Sequence, residues 1–383
     1  MKFSKRSEKL TSSQLYVFFR KVKEAEAMGR KIISLGVGEP YQDTPEVIKL
    51  AGIQAINDNK TRYNPATGSM ELKKLIAERY GVDVAQVSVS SGAKPFLAFV
   101  FLSLLDEGDA VLLTGPAYPP FVQIIESCGG KAEIIDTKPD HFQLTLASLK
   151  NSVQKVKDNH KNLYLLVNSP NNPTGITYGK EELKKIVEWC VEQKITIISD
   201  ECYINFSPDP EFTLRKFSKE IIVINSFSKT YAMTGWRVGY VICPTELNTV
   251  IGKFLDCYMS CPSSISDAAA VTAMKTKPLD DFVLQREIIH EWLKENDIAF
   301  EPSTGGIFIF PDFAKVMQEK NLATSIDLAS YFLDKVDVAT TPGSSFGEAY
   351  DTHLRISYCI DPEELKIALE KLSEAIKLDL NPL

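Results

Sequence analysis

The sequence predicts an α/β protein: a large domain on a mostly parallel sheet flanked by helices, joined to a smaller α+β domain. Three observations carry this. Between residues 44 and 243, helix-like stretches alternate with the short apolar runs AVLLTG, NLYLLVNSP, ITIISDE, IIVINSFS and WRVGYVIC. Runs that are apolar at successive positions suit strands covered on both faces. Three of these runs end in the polar motifs NSPNNPTG, DECY and SFSK, and beyond Pro262 the pattern changes. The large domain is placed at 44–262, and the small one at 1–43 together with 263–383.

Thr44 and Pro45 open the first helix of the large domain, TPEVIKLAGIQAIND, since Pro suits a first helical turn. Gly81 closes the next, ELKKLIAERYG. The stretch Phe96 to Leu105 is apolar all round, which predicts a central, buried helix. Past Pro262 come two long helical stretches mixed with the strands GGIFIF, VDVATT and HLRISYC, then the helical PEELKIALEKLSEAIK. No internal repeat or low-complexity tract is present.

With 383 residues, 44% hydrophobic and 24% charged, the chain can bury a large core. A net charge of −7 without basic blocks leaves no footprint for nucleic acid, so small molecules are the expected partners. The basic N-terminus is interrupted by polar residues before a signal-peptide core forms, and no later run is long enough to span a bilayer. A cytoplasmic protein is expected. Seven scattered cysteines fit reduced thiols. Cys257 and Cys261 lie a helical turn apart, but without a second pair no zinc set is expected.

In open parallel sheets, ligands bind outside the carboxyl ends of the strands, so the three polar motifs converge on one crevice. Asp200 ends the run ITIISD, and a carboxylate buried there needs a cationic or hydrogen-bonding partner. A protonated pyridine nitrogen would serve, although many strand-terminal Asp residues only cap a turn. Ser226, Ser228 and Arg237 surround Lys229 with two hydroxyls and a guanidinium, which suits a phosphate anchor beside an imine-forming amine. Ser91 to Pro95 is a small-residue loop opening the buried helix, where free N–H groups favour an anion.

Taken together, the segments LGVGEP, NSPNNPTG, DECY, SFSKTYAMTGWRVGY and HLRISY resemble the class I/II aminotransferases of the fold-type-I pyridoxal-phosphate enzymes, over nearly the whole chain. The resemblance implies pyridoxal 5′-phosphate as cofactor and Lys229 as its Schiff-base lysine, ahead of Lys94, which lacks the serines and downstream arginine. It implies Asp200 as partner of the ring nitrogen, Tyr203 and Asn172 at the ring hydroxyl, and Tyr118 stacked on the ring. Backbone at Ala93 and Lys94 would hold the phosphate with Ser226, Ser228 and Arg237. Tyr63 would reach it from the neighbouring subunit of a homodimer, while Arg355, Gly38 and Asn172 would bind the substrate. The activity implied is ping-pong transfer of an amino group from an L-amino acid, aspartate or another common one, to a 2-oxo acid such as 2-oxoglutarate.

Other readings compete. A carbon–sulfur β-lyase uses the same lysine and aspartate, and fold alone does not choose between chemistries. Gly343-Ser344-Ser345-Phe346-Gly347 matches a serine-hydrolase elbow, but a strand-like stretch follows where that motif needs a helix. Gly36 and Gly38 lack the third glycine of a dinucleotide fingerprint. A DNA-binding regulator on this fold would carry an added domain. At PYQD, Cys202 and Pro119-Pro120 the chain departs from the commonest family wording, which bears on substrate more than on cofactor.

Overall fold

A computed structural model describes residues 14–378. Seven strands lie side by side in the order Val87–Ser90, Gly239–Ile242, Ile222–Ser226, Thr196–Asp200, Leu163–Asn168, Ala110–Gly115 and Lys131–Asp136. Neighbours are parallel except the two pairs made by Gly239–Ile242, which runs against both flanking strands. The fold class is the one expected from the apolar runs.

Successive residues of a strand face opposite sides of a sheet, and the runs divide accordingly. Leu165, Val167, Ile197 and Val223 join one hydrophobic cluster, whereas Tyr164, Leu166, Ile198 and Ile224 join another. Helix Ala93–Leu104 supplies Phe96, Leu97, Val100 and Phe101 to the second cluster, which makes it the central buried helix predicted from its all-round apolarity. Each such side chain contributes roughly 1.5–3 kcal/mol by leaving water. Parallel alignment brings Asn168, Asp200 and Ser226 to the same edge of the sheet, with Asn168 opposite Asp200 in the ladder.

Two local expectations change. Thr44 does not cap its helix, which runs Glu46–Asn57 behind Pro45. Its hydroxyl instead donates to the Ala232 carbonyl at 2.6 Å and accepts from Trp236 Nε1 at 3.1 Å, tying the helix start to the loop after Lys229. Helix Ser264–Ala273, assigned by pattern to the small domain, buries Ala269, Ala270, Val271 and Ala273 in the large-domain cluster. Its small side chains allow close approach to Glu46–Asn57, whose Ile48 and Ala55 face inward. Gly81 does close helix Met70–Tyr80, in the left-handed conformation at φ 63° that glycine adopts without strain.

A third cluster holds Phe18, Val22 and Leu35 from the N-terminal part together with Ile289, Phe308, Phe332, Ile356 and Leu372. Its strands are short. GGIFIF yields only Phe308–Ile309, and VDVATT splits into Val338–Ala339, paired with Ile33–Ser34, and Thr341–Pro342, paired with Leu354–Ser357. No helix among the described residues is long and apolar enough to cross a membrane.

Candidate active site

Each polar side chain at the sheet edge is held by its own backbone context. Ser226 ends its strand and caps the short helix Phe227–Thr230, accepting from Ser228 N at 3.0 Å, and the two hydroxyls meet at 2.8 Å. Lys229 follows within that turn and donates Nζ to the Gly38 carbonyl. Burial pushes its ammonium below the ordinary lysine range, so more of it is free amine near neutrality than in an exposed lysine.

Asp200 is 7% exposed, and its Oδ1 accepts from Cys202 N at 3.0 Å. Burial raises its pKa, opposed among the described residues by hydrogen bonds from Cys202. No cation pairs with this buried carboxylate among the described residues. Asn168 orients the neighbouring loop, its Oδ1 accepting from Asn172 N at 2.9 Å and its Nδ2 donating to the Asp200 carbonyl at 3.3 Å.

Arg355 lies on strand Leu354–Ser357 and is 4% exposed. Its Nη1 donates to Asn172 Oδ1 at 3.0 Å and its Nη2 to the Gly36 carbonyl at 2.7 Å, while Nε has no partner among the described residues. Its guanidinium stacks over Phe308 at 4.3 Å and Phe346 at 5.2 Å. Burial lowers its pKa to about 10, which leaves it charged, and no carboxylate pairs with it among the described residues. Gly38 has no room for a side chain, since a Cβ would lie 2.3 Å from Phe308 Cζ.

Gly92 caps helix Ala93–Leu104 at φ 93°, and a Cβ there would meet Arg237 Nη2 at 2.7 Å. Arg237 thereby lies across the helix start, with Nη1 donating to the Thr234 carbonyl at 2.9 Å. The helix N–H groups, the paired serines and this guanidinium face one space, an arrangement suited to a phosphate dianion. Tyr118 packs edge-on against Phe121 at 5.3 Å, and Lys94 Nζ stands 5.6 Å from its ring centre.

One crevice of about 320 Å³ is lined by Gly38, Ala93, Lys94, Tyr118, Asn172, Asp200, Tyr203, Ser226, Ser228, Lys229, Arg237 and Arg355. Tyr63 alone of the candidate residues stands apart, 88% exposed in a separate surface depression with Arg62 and Ser264. Sequence reasoning passed over Phe19, Asn168, Thr234 and Phe308, which also line the crevice. Asn168 was within reach, because it opens NSPNNPTG at a strand end. The elbow-like segment forms a short turn over Gly343–Phe346, with Asp351 bonded to Ser325 and His353 near Asp312, so no Ser–His–Asp chain assembles there.

A buried lysine and a buried acid flanking an anion cradle at the edge of such a sheet define a class, and sequence comparison names it. Residues 30–372 match the family model described as aminotransferase class I and II; the chain belongs to that family and is an aminotransferase. It is 38% identical to a probable aspartate/prephenate aminotransferase of Aquifex aeolicus, covering 93% of this chain and 94% of that protein. It is 30% identical to the aspartate aminotransferase of Bacillus subtilis, over 98% and 99% of the two chains. Among solved structures, the aspartate aminotransferase of Rhizobium meliloti superposes with a TM-score of 0.88 at 30% identity, covering 98% of this chain and 99% of that one.

Proposed function

We propose that the protein binds pyridoxal 5′-phosphate in the Lys229 crevice and moves amino groups from aspartate to a 2-oxo acid, 2-oxoglutarate being the acceptor. The observation that carries this reading is the charge balance. Lys94, Lys229, Arg237 and Arg355 line the crevice with Asp200 as the one carboxylate in its lining, while Glu39, bonded to Thr234, acts on Lys229 from its border. Lys229 serves the amine chemistry, Arg237 the phosphate and Arg355 the α-carboxylate, so Lys94 is left for a second carboxylate on the substrate. Aspartate, 2-oxoglutarate and prephenate are all dicarboxylates, in line with the name of the Aquifex relative.

The residues present fit the cofactor. Ser226, Ser228, Arg237 and the backbone at Ala93 and Lys94 would hold its phosphate, Asp200 its ring nitrogen, Asn172 and Tyr203 its hydroxyl, and Tyr118 a ring face. When bound, the cofactor supplies an aldehyde for Lys229 and a ring that accepts electrons. Arg355, helped by Gly38 and Asn172, fixes the substrate carboxylate through a planar fork. Lys229 Nζ would take the proton from the substrate Cα and return it to the cofactor carbon on the far side of the shared nitrogen, a role suited to an amine whose pKa burial lowers. One crevice serves donor and acceptor in turn, which gives ping-pong kinetics.

The test is the visible absorption of the cofactor-loaded protein. Aspartate alone should bleach it and 2-oxoglutarate should restore it. Retained colour with pyruvate and ammonia released from cysteine or cystathionine would instead mean a carbon–sulfur β-lyase. Lys94→Met is expected to lower kcat/KM for aspartate about tenfold or more, while leaving alanine as donor nearly unchanged. An equal loss for both donors would remove Lys94 from side-chain recognition.

The active unit is proposed to be a homodimer in which Tyr63 completes the neighbour's phosphate site. Helix Glu46–Asn57 leaves Val47, Leu50, Ile53 and Ile56 each about half exposed, and Tyr63 follows it on the same surface segment. Sedimentation at assay concentrations should give a dimer, and an active monomer would end this part of the reading.

A further inference from the structure

Glu201 follows Asp200 and turns its side chain to the other face of the sheet, away from the Lys229 crevice. There it lines a separate cavity of about 260 Å³ with Val167, Leu183, Phe212 and Leu214 among its apolar walls. Glu201 is 2% exposed. Its Oε1 is saturated, accepting from Ser199 Oγ at 3.1 Å, Thr213 Oγ1 at 2.9 Å and Leu214 N at 3.0 Å.

Its Oε2 has no hydrogen-bond partner among the described residues, and neither have Thr177 Oγ1 and Ser207 Oγ, from two further residues of the same lining. A buried polar atom without a partner costs about 1–3 kcal/mol, and more when it is charged. Burial pushes the Glu201 pKa up to about 7, and a cation beside it would favour its charged form. The Lys180–Asp209 ion pair also borders the cavity, but its ammonium is already engaged by that aspartate.

The carboxylate oxygen only accepts, and the two hydroxyls can accept as well as donate, so one group rich in donors can satisfy all three. A cationic nitrogen head supplies only donors, and the apolar walls suit a short hydrocarbon stem. We propose that this cavity is a second binding site, taking a small organic cation with an ammonium, amidinium or guanidinium head on an apolar stem. Glu201 Oε2 binds the head, the Thr177 and Ser207 hydroxyls accept its remaining N–H groups, and Phe212 and Leu183 enclose the stem.

Benzamidine is the probe, because its amidinium has the required donors and does not condense with the cofactor aldehyde as a free amine would. Calorimetric titration of the full-length, cofactor-loaded protein should show one saturable equivalent, and a co-crystal structure should place it in the Glu201 cavity. Glu201→Gln should weaken binding about tenfold or more, the fold-change of one lost charge-assisted hydrogen bond. Should Glu201→Gln fail to fold, Thr177→Val carries the test. That hydroxyl has no partner to lose, so the variant keeps its shape and should bind more weakly by a smaller factor. The site is overturned by absence of saturable binding, by unchanged affinity in Thr177→Val, by benzamidine lodged in the Lys229 crevice, or by ordered waters that satisfy all three oxygens and are not displaced.

Discussion

Replacing Lys229 with alanine is expected to slow the half-reaction with aspartate by about 10⁴-fold, the upper range for loss of a positioned general acid–base. The cradle of Ser226, Ser228 and Arg237 is untouched by this change, so phosphate anchoring should persist. What is lost is the amine proposed to remove and return the substrate proton. Its position depends on the turn Phe227–Thr230 and on the Gly38 carbonyl that accepts from Nζ. Added methylamine should restore part of the rate, since a free amine can enter the space that the side chain vacates. A Lys229→Ala protein with near-normal rates, or one that amines do not rescue, would move the proton transfer to another group, with Lys94 the next candidate.

The second large effect is expected at Asp200. Asp200→Asn keeps the shape but removes the negative charge facing the proposed ring nitrogen, and with it the influence that keeps that nitrogen protonated. A loss of about 10²–10³-fold in half-reaction rate follows from removing one preorganised electrostatic partner. Cofactor content, read from absorbance, should remain near that of the parent protein.

Stability should move the other way. Burial raises the pKa of Asp200 in the folded chain, so the folded state binds a proton more readily than the unfolded one. The corresponding stability is present at acid pH and is lost as pH rises through the folded value. Above the unfolded pKa the cofactor-free parent therefore carries a cost for burying this carboxyl, and Asp200→Asn without cofactor should melt higher at neutral pH. Lower melting of the cofactor-free variant, or unimpaired turnover, would mean that Asp200 serves the fold and not the reaction.

Much of the architecture was legible because it is written in short-range pattern. Strands buried on both faces show as unbroken apolar runs, and the runs ending at Asn168, Asp200 and Ser226 became adjacent parallel strands. A polar residue closing such a run has only the sheet edge to occupy. The buried helix at Ala93–Leu104 and the glycine stop at Gly81 are local signals of the same kind. The smaller lobe was harder to read. Strands such as Phe308–Ile309 and Val338–Ala339 are two residues long, too short for any period to show.

The sequence by itself determined the fold class, the sheet edge and the set of chemically capable residues, since each depends on side-chain type and spacing within a few turns or one strand. Only the tertiary structure decided which of them meet. Arg355 reaches the Gly36 carbonyl 319 positions away, Phe308 excludes any side chain at residue 38, and Phe19 joins the crevice from helix Gln14–Ala27. Helix Ser264–Ala273 went to the large-domain core because small side chains let it approach Glu46–Asn57, a fit between surfaces that neither segment encodes alone. Glu201 and Asp200, consecutive in the chain, were sent to different cavities by the alternation of side chains at a strand end.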